Sequence, residues 1–258
     1  MAIKSLFEMT QAEAERAFAR TQLAVIPAGS VEQHGPTLPM GTDSMSAIGV
    51  ARSVAEKMNA VLVPFSPIGF APYHLPWRGS LSFKATTFIS MFLDICECLQ
   101  GHGITQVLGI IGHEGNVTPL RMAADEAQHR FNLRVVLAEA YVVLNRLYPR
   151  LELTHAAVQE AVAAMFYDPT LVVDLSLVGS ASDADTGNRE HARYRQKGVF
   201  PILKDFREVA PTGYYGVFEQ PTREFVAEAL EKVSDAIAVE AGEIFDAARK
   251  GFAACGRK

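Results

Sequence analysis

Leu23-Ala-Val-Ile-Pro-Ala-Gly-Ser-Val-Glu-Gln-His-Gly-Pro-Thr-Leu-Pro-Met-Gly-Thr-Asp43 carries an apolar run, Leu23 to Pro27, straight into a loop rich in Gly and Pro. The run reads as a buried strand. The loop sets Glu32 and His34 two residues apart and ends on Asp43. Two carboxylates and an imidazole are oxygen and nitrogen donors suited to a divalent ion such as Zn, Mn or Fe. The competing reading is a plain turn. Gly, Pro, Ser and Asp are ordinary turn residues, and Asp43 could cap a helix beginning near Ser44.

Outward from this stretch, β-type and helix-type segments alternate. Ala60–Phe65, Gln106–Ile111 and Leu133–Leu137 read as further strands. Met45–Asn59, Thr86–Gln100 and Thr118–Phe131 read as the helices between them, the second closed by Gly101 and Gly103. This alternation predicts an α/β fold with a mostly parallel sheet and helices on both faces. Farther on, His155–Phe166 and Thr222–Lys250 read as helices, and Val178–Gly216 as loop-rich surface serving as an active-site rim or an oligomer contact. No linker divides the chain, so residues 1–258 are taken as a single domain.

Composition narrows the function. Apolar residues make up 49% of the 258 and charged ones 21%, the profile of a globular enzyme. A net charge of −5, with no basic block, argues against a nucleic-acid or anionic-membrane partner. The cysteines, Cys96, Cys98 and Cys255, are odd in number, and the first two would point to different faces of a helix. They are expected to be thiols of a reducing compartment rather than disulfides or zinc ligands. Met1–Arg20 is charged and amphipathic, without a signal-peptide core, and no run approaches the roughly 20 apolar residues of a membrane span. A cytoplasmic location is expected.

In a parallel α/β sheet, ligands gather beyond the carboxyl ends of the strands. Gly29–Asp43 falls there, and so does Gly112-His-Glu-Gly-Asn116, which brings His113 toward the first loop. A third element is Thr154-His-Ala-Ala-Val-Gln-Glu160. Its His155 and Glu160 would lie about 140° apart on a regular helix. His155 is therefore expected in a nonhelical position at the helix start, with Glu160 facing inward. The plainer alternative is a capping His and a solvated Glu.

These segments together resemble the creatininase family. Ala28–Asp43 resembles its signature loop, Gly112-His-Glu-Gly-Asn116 its Gly-His-Gly-Gly-Asn segment, and His155-Ala-Ala-Val-Gln-Glu160 its His-Ala-Gly-Glu-x-Glu segment. Arg78-Gly-Ser80 stands where members carry Pro-Gly-Thr, behind Gly69 and His74, and the resemblance runs from about Leu23 to Asp174. It implies a three-layer α/β/α sandwich and a centre of two divalent metal ions (Zn, Mn or Fe). It also implies a homo-oligomer, such as a hexamer, acting on a small-molecule substrate.

Carried over residue by residue, Glu32, His34, Asp43 and His113 would be ligands, with Asp43 bridging both ions, and His155 the acid/base. The family's carboxylate ligand two places after the strand-end His is here Gly115. That role passes to Glu160, with Glu114 as the second candidate. His74, Trp77, Arg78 and Ser80, with Tyr73, are candidates for the pocket wall, and Glu114 would project a carboxylate into or beside the site. Arg78, if turned inward, would pair with an anionic group on the substrate. His102, His129 and His191 are taken as solvated.

The implied activity is cleavage of an amide-type C–N bond (cyclic amide, ureido or N-acyl) by water activated at the metal centre. The alternatives are a formylamino-pyrimidine deformylase, a peptide-maturation protease on the same fold, and a noncatalytic binding protein. A nicotinamide-binding Rossmann protein is disfavoured because no Gly-x-Gly-x-x-Gly opens the first helix.

Overall fold

The computed structural model describes residues 4–178 and 202–254. Strand β1 (Leu23–Ala28) is buried at every position, as a strand covered on both faces should be. It pairs in parallel with β3 (Gln106–Ile111) along its full length and with the short β2 (Val61–Leu62) on its other side. Strand β4 (Arg134–Glu139) pairs in parallel with β3, giving the order β2-β1-β3-β4.

Side chains alternate between two cores. Val25, Leu108 and Ile110 face α2 (Thr42–Lys57), α6 (Val158–Met165) and α7 (Arg223–Ala254). Ala24, Ile26, Val107 and Ile111 face α3 (Ala85–Gly101) and α4 (Val117–Phe131). The expected three layers are present. Two helices lie outside the sequence reading. Helix α1 (Gln11–Arg20) starts at a Thr10–Glu13 capping box, and α5 (Ala140–Leu147) begins as β4 ends.

Three segments depart from expectation. Of the expected strand 60–65 only Val61–Leu62 is paired as strand; Val63 N still donates to Val25 O at 2.9 Å, and the chain leaves β1 from Pro64 onward. Helix α2 starts at Thr42 behind Gly41, so Asp43 lies inside the first turn and does not cap the helix. Helix α6 starts at Val158, since Ala156 takes a left-handed φ of 57° and His155 bridges to Tyr215. Of the loop-rich stretch 178–216, residues 179–201 lie outside the described residues, as do His191 and Cys255. The remainder is not all surface, for Phe206 and Tyr215 are buried. As expected of a helix, Cys96 is buried and Cys98 exposed, and both are free thiols.

Candidate active site

The first loop, the end of β3 and the start of α6 meet at the carboxyl edge of the sheet. Glycines let them close up. A Cβ on Gly29 would lie 2.3 Å from the Ser44 Cα, and one on Gly112 would lie 2.2 Å from the Asp43 carbonyl oxygen. The amino end of α2 is thus pressed against the ends of β1 and β3, and Asp43 is delivered to the middle of the site.

Around Asp43 the donors converge. Its Oδ1 lies 3.3 Å from His34 Nε2 and its Oδ2 3.0 Å from His113 Nδ1. Oδ2 also accepts a 2.8 Å hydrogen bond from Ser30 Oγ. Glu32 Oε2 is 3.2 Å from His113 Nδ1, and Glu160 Oε2 is 3.4 Å from His34 Nε2. Two of the resulting triads could each hold a metal ion, Glu32–Asp43–His113 and His34–Asp43–Glu160, sharing Asp43. A third grouping, Glu32–His34–His155, is equally close.

The donor set fits divalent ions. Glu32 Oε2 and His34 Nε2 are buried without a hydrogen bond, despite their charged neighbours. Such groups are costly to bury unless something else satisfies them. The far nitrogens of the two imidazoles are tied to backbone carbonyls: His34 Nδ1 to Glu32 O at 3.1 Å, and His113 Nε2 to Phe70 O at 3.1 Å. A proton held at each of those nitrogens leaves the inward lone pair available, the usual second-layer support of a metal-binding His.

Electrostatics bind the cluster together. Burial opposes charge on His34, but Asp43 and Glu160 overcome it and hold the imidazole up to about 10. His113 is likewise held up to about 9, the Glu32 and Asp43 carboxylates outweighing burial. Burial would raise Asp43, yet His34 and His113 keep it well below the usual carboxylate range. Glu32 is pushed up to about 7, chiefly by burial. Glu160 is lowered, because His155 and His34 outweigh burial. Protons on the imidazoles and a divalent cation compete for the same carboxylates.

Gly115 itself has no room for a carboxylate side chain. A Cβ at Gly115 would lie 2.4 Å from both His113 Nε2 and Phe70 O, so this backbone leaves no room for a side chain. Glu160 comes from the first turn of α6, its Oε2 accepting the Ala156 N–H at 2.5 Å. His155 stands beside it, with Nδ1 3.6 Å from Glu160 Oε1 and its ring 4.8 Å from the His34 ring.

A model of the creatininase family, described as creatinine amidohydrolase, matches residues 7–240. The chain belongs to the creatininase family. Over 108 residues it is 32% identical to the mycofactocin precursor peptide peptidase of Mycobacterium ulcerans, covering 38% of this chain and 43% of that protein. Over 123 residues it is 30% identical to the creatinine amidohydrolase of Pseudomonas putida, covering 44% and 46%. A 3-dehydro-scyllo-inosose hydrolase of Thermotoga maritima is 27% identical over 106 residues, covering 41% of this chain and 34% of that protein. The chain thus matches less than half the length of each of these curated relatives. A crystal structure of creatininase covers 94% of this chain and 99% of its own, with a TM-score of 0.73 at 24% identity. A manganese form scores 0.74 and a Zn-Zn type mutant 0.71.

The remaining expected residues divide. His74 is buried, with Nε2 3.2 Å from Glu32 Oε1; burial and neighbouring imidazoles keep it neutral, well below its ordinary range. It braces Glu32. The Ser80 hydroxyl accepts the Gln33 N–H at 3.0 Å, so it supports the first loop from beneath. Trp77 is half-buried near Phe206, and Arg78 and Glu114 are exposed at the rim. His102 and His129 are exposed, as expected.

The sequence reading missed two residues. The Phe206 ring packs 4.6 Å from the His74 ring and 4.8 Å from that of His155, closing the site from the stretch after the undescribed segment. Gln33 lies between the two ligand candidates Glu32 and His34, and that position in the motif was the available signal.

Proposed function

We propose that this member of the creatininase family is a hydrolase that cleaves an amide-type C–N bond in a small molecule. We further propose two divalent ions per chain, one held by Glu32, Asp43 and His113 and the other by His34, Asp43 and Glu160. The observation that carries the reading is the convergence of three carboxylates and two imidazoles on shared points, with Glu32 Oε2 and His34 Nε2 buried without a hydrogen bond. A homo-oligomer and a cytoplasmic location belong to the same reading.

When bound, the ions supply Lewis-acid polarisation and acidify water. The side chains do the rest. Asp43 holds the two triads at one spacing. His155 carries a proton to the leaving nitrogen in this reading, which an amine requires in order to depart. Glu160 holds the His155 ring from its Nδ1 side. Tyr73, Trp77 and Phe206 wall the mouth with aromatic surface and limit the water around the bond being cut.

The test is a panel of lactams, cyclic ureas, formamides and short peptides, offered to Zn- or Mn-loaded protein with metal measured per chain. Turnover of any class that a chelator abolishes supports the reading, whereas metal-free turnover or no metal uptake defeats it. A second reading, cleavage of a peptide, is favoured by the stretch 32% identical to a peptide peptidase. The peptide arm of the panel separates the two.

A further inference from the structure

The side chain of Gln33 is fastened more tightly than any passive loop residue needs. Its Oε1 accepts the Gly35 N–H at 3.1 Å, which fixes which end of the amide is nitrogen. A Cβ on Gly213 would lie 2.4 Å from that oxygen, so the following segment is packed directly onto it. The amide nitrogen then points between two imidazoles, 3.3 Å from His74 Nδ1 and 2.9 Å from His155 Nε2. The main chain of the same residue takes part as well, with Gln33 O 3.0 Å from His155 Nε2.

We propose that Gln33 is a positioning residue that sets the tautomer of His74 and holds the ring of His155 in place. An amide nitrogen only donates, so His74 must present a bare Nδ1 to it. The His74 proton is then on Nε2, where it donates to Glu32 Oε1, 3.2 Å away. Gln33 therefore braces a metal-ligand candidate through His74. His155 meets a donor and an acceptor of one residue at the same nitrogen. Either tautomer keeps a partner there, and the ring has no reason to turn away from Glu160. One amide thus couples the ligand side of the site to its acid/base side. Only the catalytic consequence of this arrangement rests on the function proposed above.

The experiment uses the full chain loaded with Zn2+ and labelled with 15N-histidine. Long-range 1H–15N spectra read the tautomer of each ring, and single His variants supply the assignments. In the wild type, His74 is expected with Nε2 protonated and Nδ1 bare. Gln33→Glu keeps the shape and the acceptor for Gly35 N–H but replaces the amide donor, so His74 should take a proton at Nδ1. Zinc per chain should stay at the wild-type level. On any substrate the panel identifies, kcat should fall 10–100-fold, the usual scale for a group that orients a metal-site residue, with KM little changed.

A wild-type His74 protonated at Nδ1, or a Gln33→Glu protein whose His74 keeps a bare Nδ1, overturns the proposal. Should the charged variant fail to fold or load zinc, Gln33→Met removes the donor without adding charge. A His74 Nδ1 resonance shifted to that of a bare nitrogen with no hydrogen-bond donor then supports the proposal, and an unchanged spectrum overturns it. The spectra decide this without turnover, so an inactive panel would defeat the hydrolase reading and leave the tautomer result standing.

Discussion

The two ends of the sheet are built from similar residue types to opposite effect. At the amino end, Arg20, Gln22, His102 and Asp246 line an open groove of about 750 Å³. At the carboxyl end, more ionisable groups lie within hydrogen-bond reach of one another and are mostly buried. Glycine shows the contrast directly. A Cβ on Gly242, in the amino-end groove, would meet nothing within 4 Å, whereas one on Gly112 would strike the Asp43 backbone. The lesson is that volume does not mark the site. Polar groups buried at a cost that ordinary hydrogen bonds do not repay do mark it.

Asp43→Ala is the hardest test of this contrast. It should remove both ions and reduce activity below detection, as read by elemental analysis and turnover; full occupancy would mean that Asp43 does not bridge. His155→Ala should keep both ions and lose about 10²-fold or more in kcat, the ordinary contribution of a general acid–base group. An unimpaired variant would take His155 out of the chemistry.

Metal uptake should weaken as pH falls. The imidazoles of His34 and His113, held up to about 10 and about 9, must give up protons to bind an ion. Below about pH 7 the Glu32 carboxyl binds a further proton, so each unit of pH should cost about an additional tenfold in Zn2+ affinity. Calorimetry in buffers of different ionisation enthalpy would count the protons released, and a pH-independent affinity would mean that these groups are not ligands.

Two glycine variants separate the ends on a finer scale. Gly112→Ala should destabilise the fold by about 1–3 kcal/mol or more, as overpacking against backbone does. Gly242→Ala, in the open interior of α7, should raise stability by about 0.5–1 kcal/mol. Chemical denaturation measures both, and equal effects would erase the distinction drawn here.

Sequence patterning revealed what burial on both faces imposes. β1 and β3 are apolar runs because helices cover them on either side, and the candidate ligands stood out because a loop with only a turn to make has no need of Glu32, His34 and Asp43 together. Other features left weaker signals. Helix α5 begins at the residue after β4, with no loop between them to punctuate it. The Thr10–Glu13 capping box that opens α1 was present and passed over. Gln33 and Phe206 owe their importance to partners far along the chain, and neither has reactive chemistry of its own to draw notice.

The backbone bridge between His155 and Tyr215 has a consequence for how this protein could change. Tyr215 N donates to His155 O at 3.0 Å, and Val158 N to Val217 O at 2.8 Å. The outer loop and the residue proposed to move the proton are therefore stitched into a single ribbon. A transplant of that loop from a relative would retune reactivity along with selectivity, and new specificities would have to arise through paired changes on both strands of the seam.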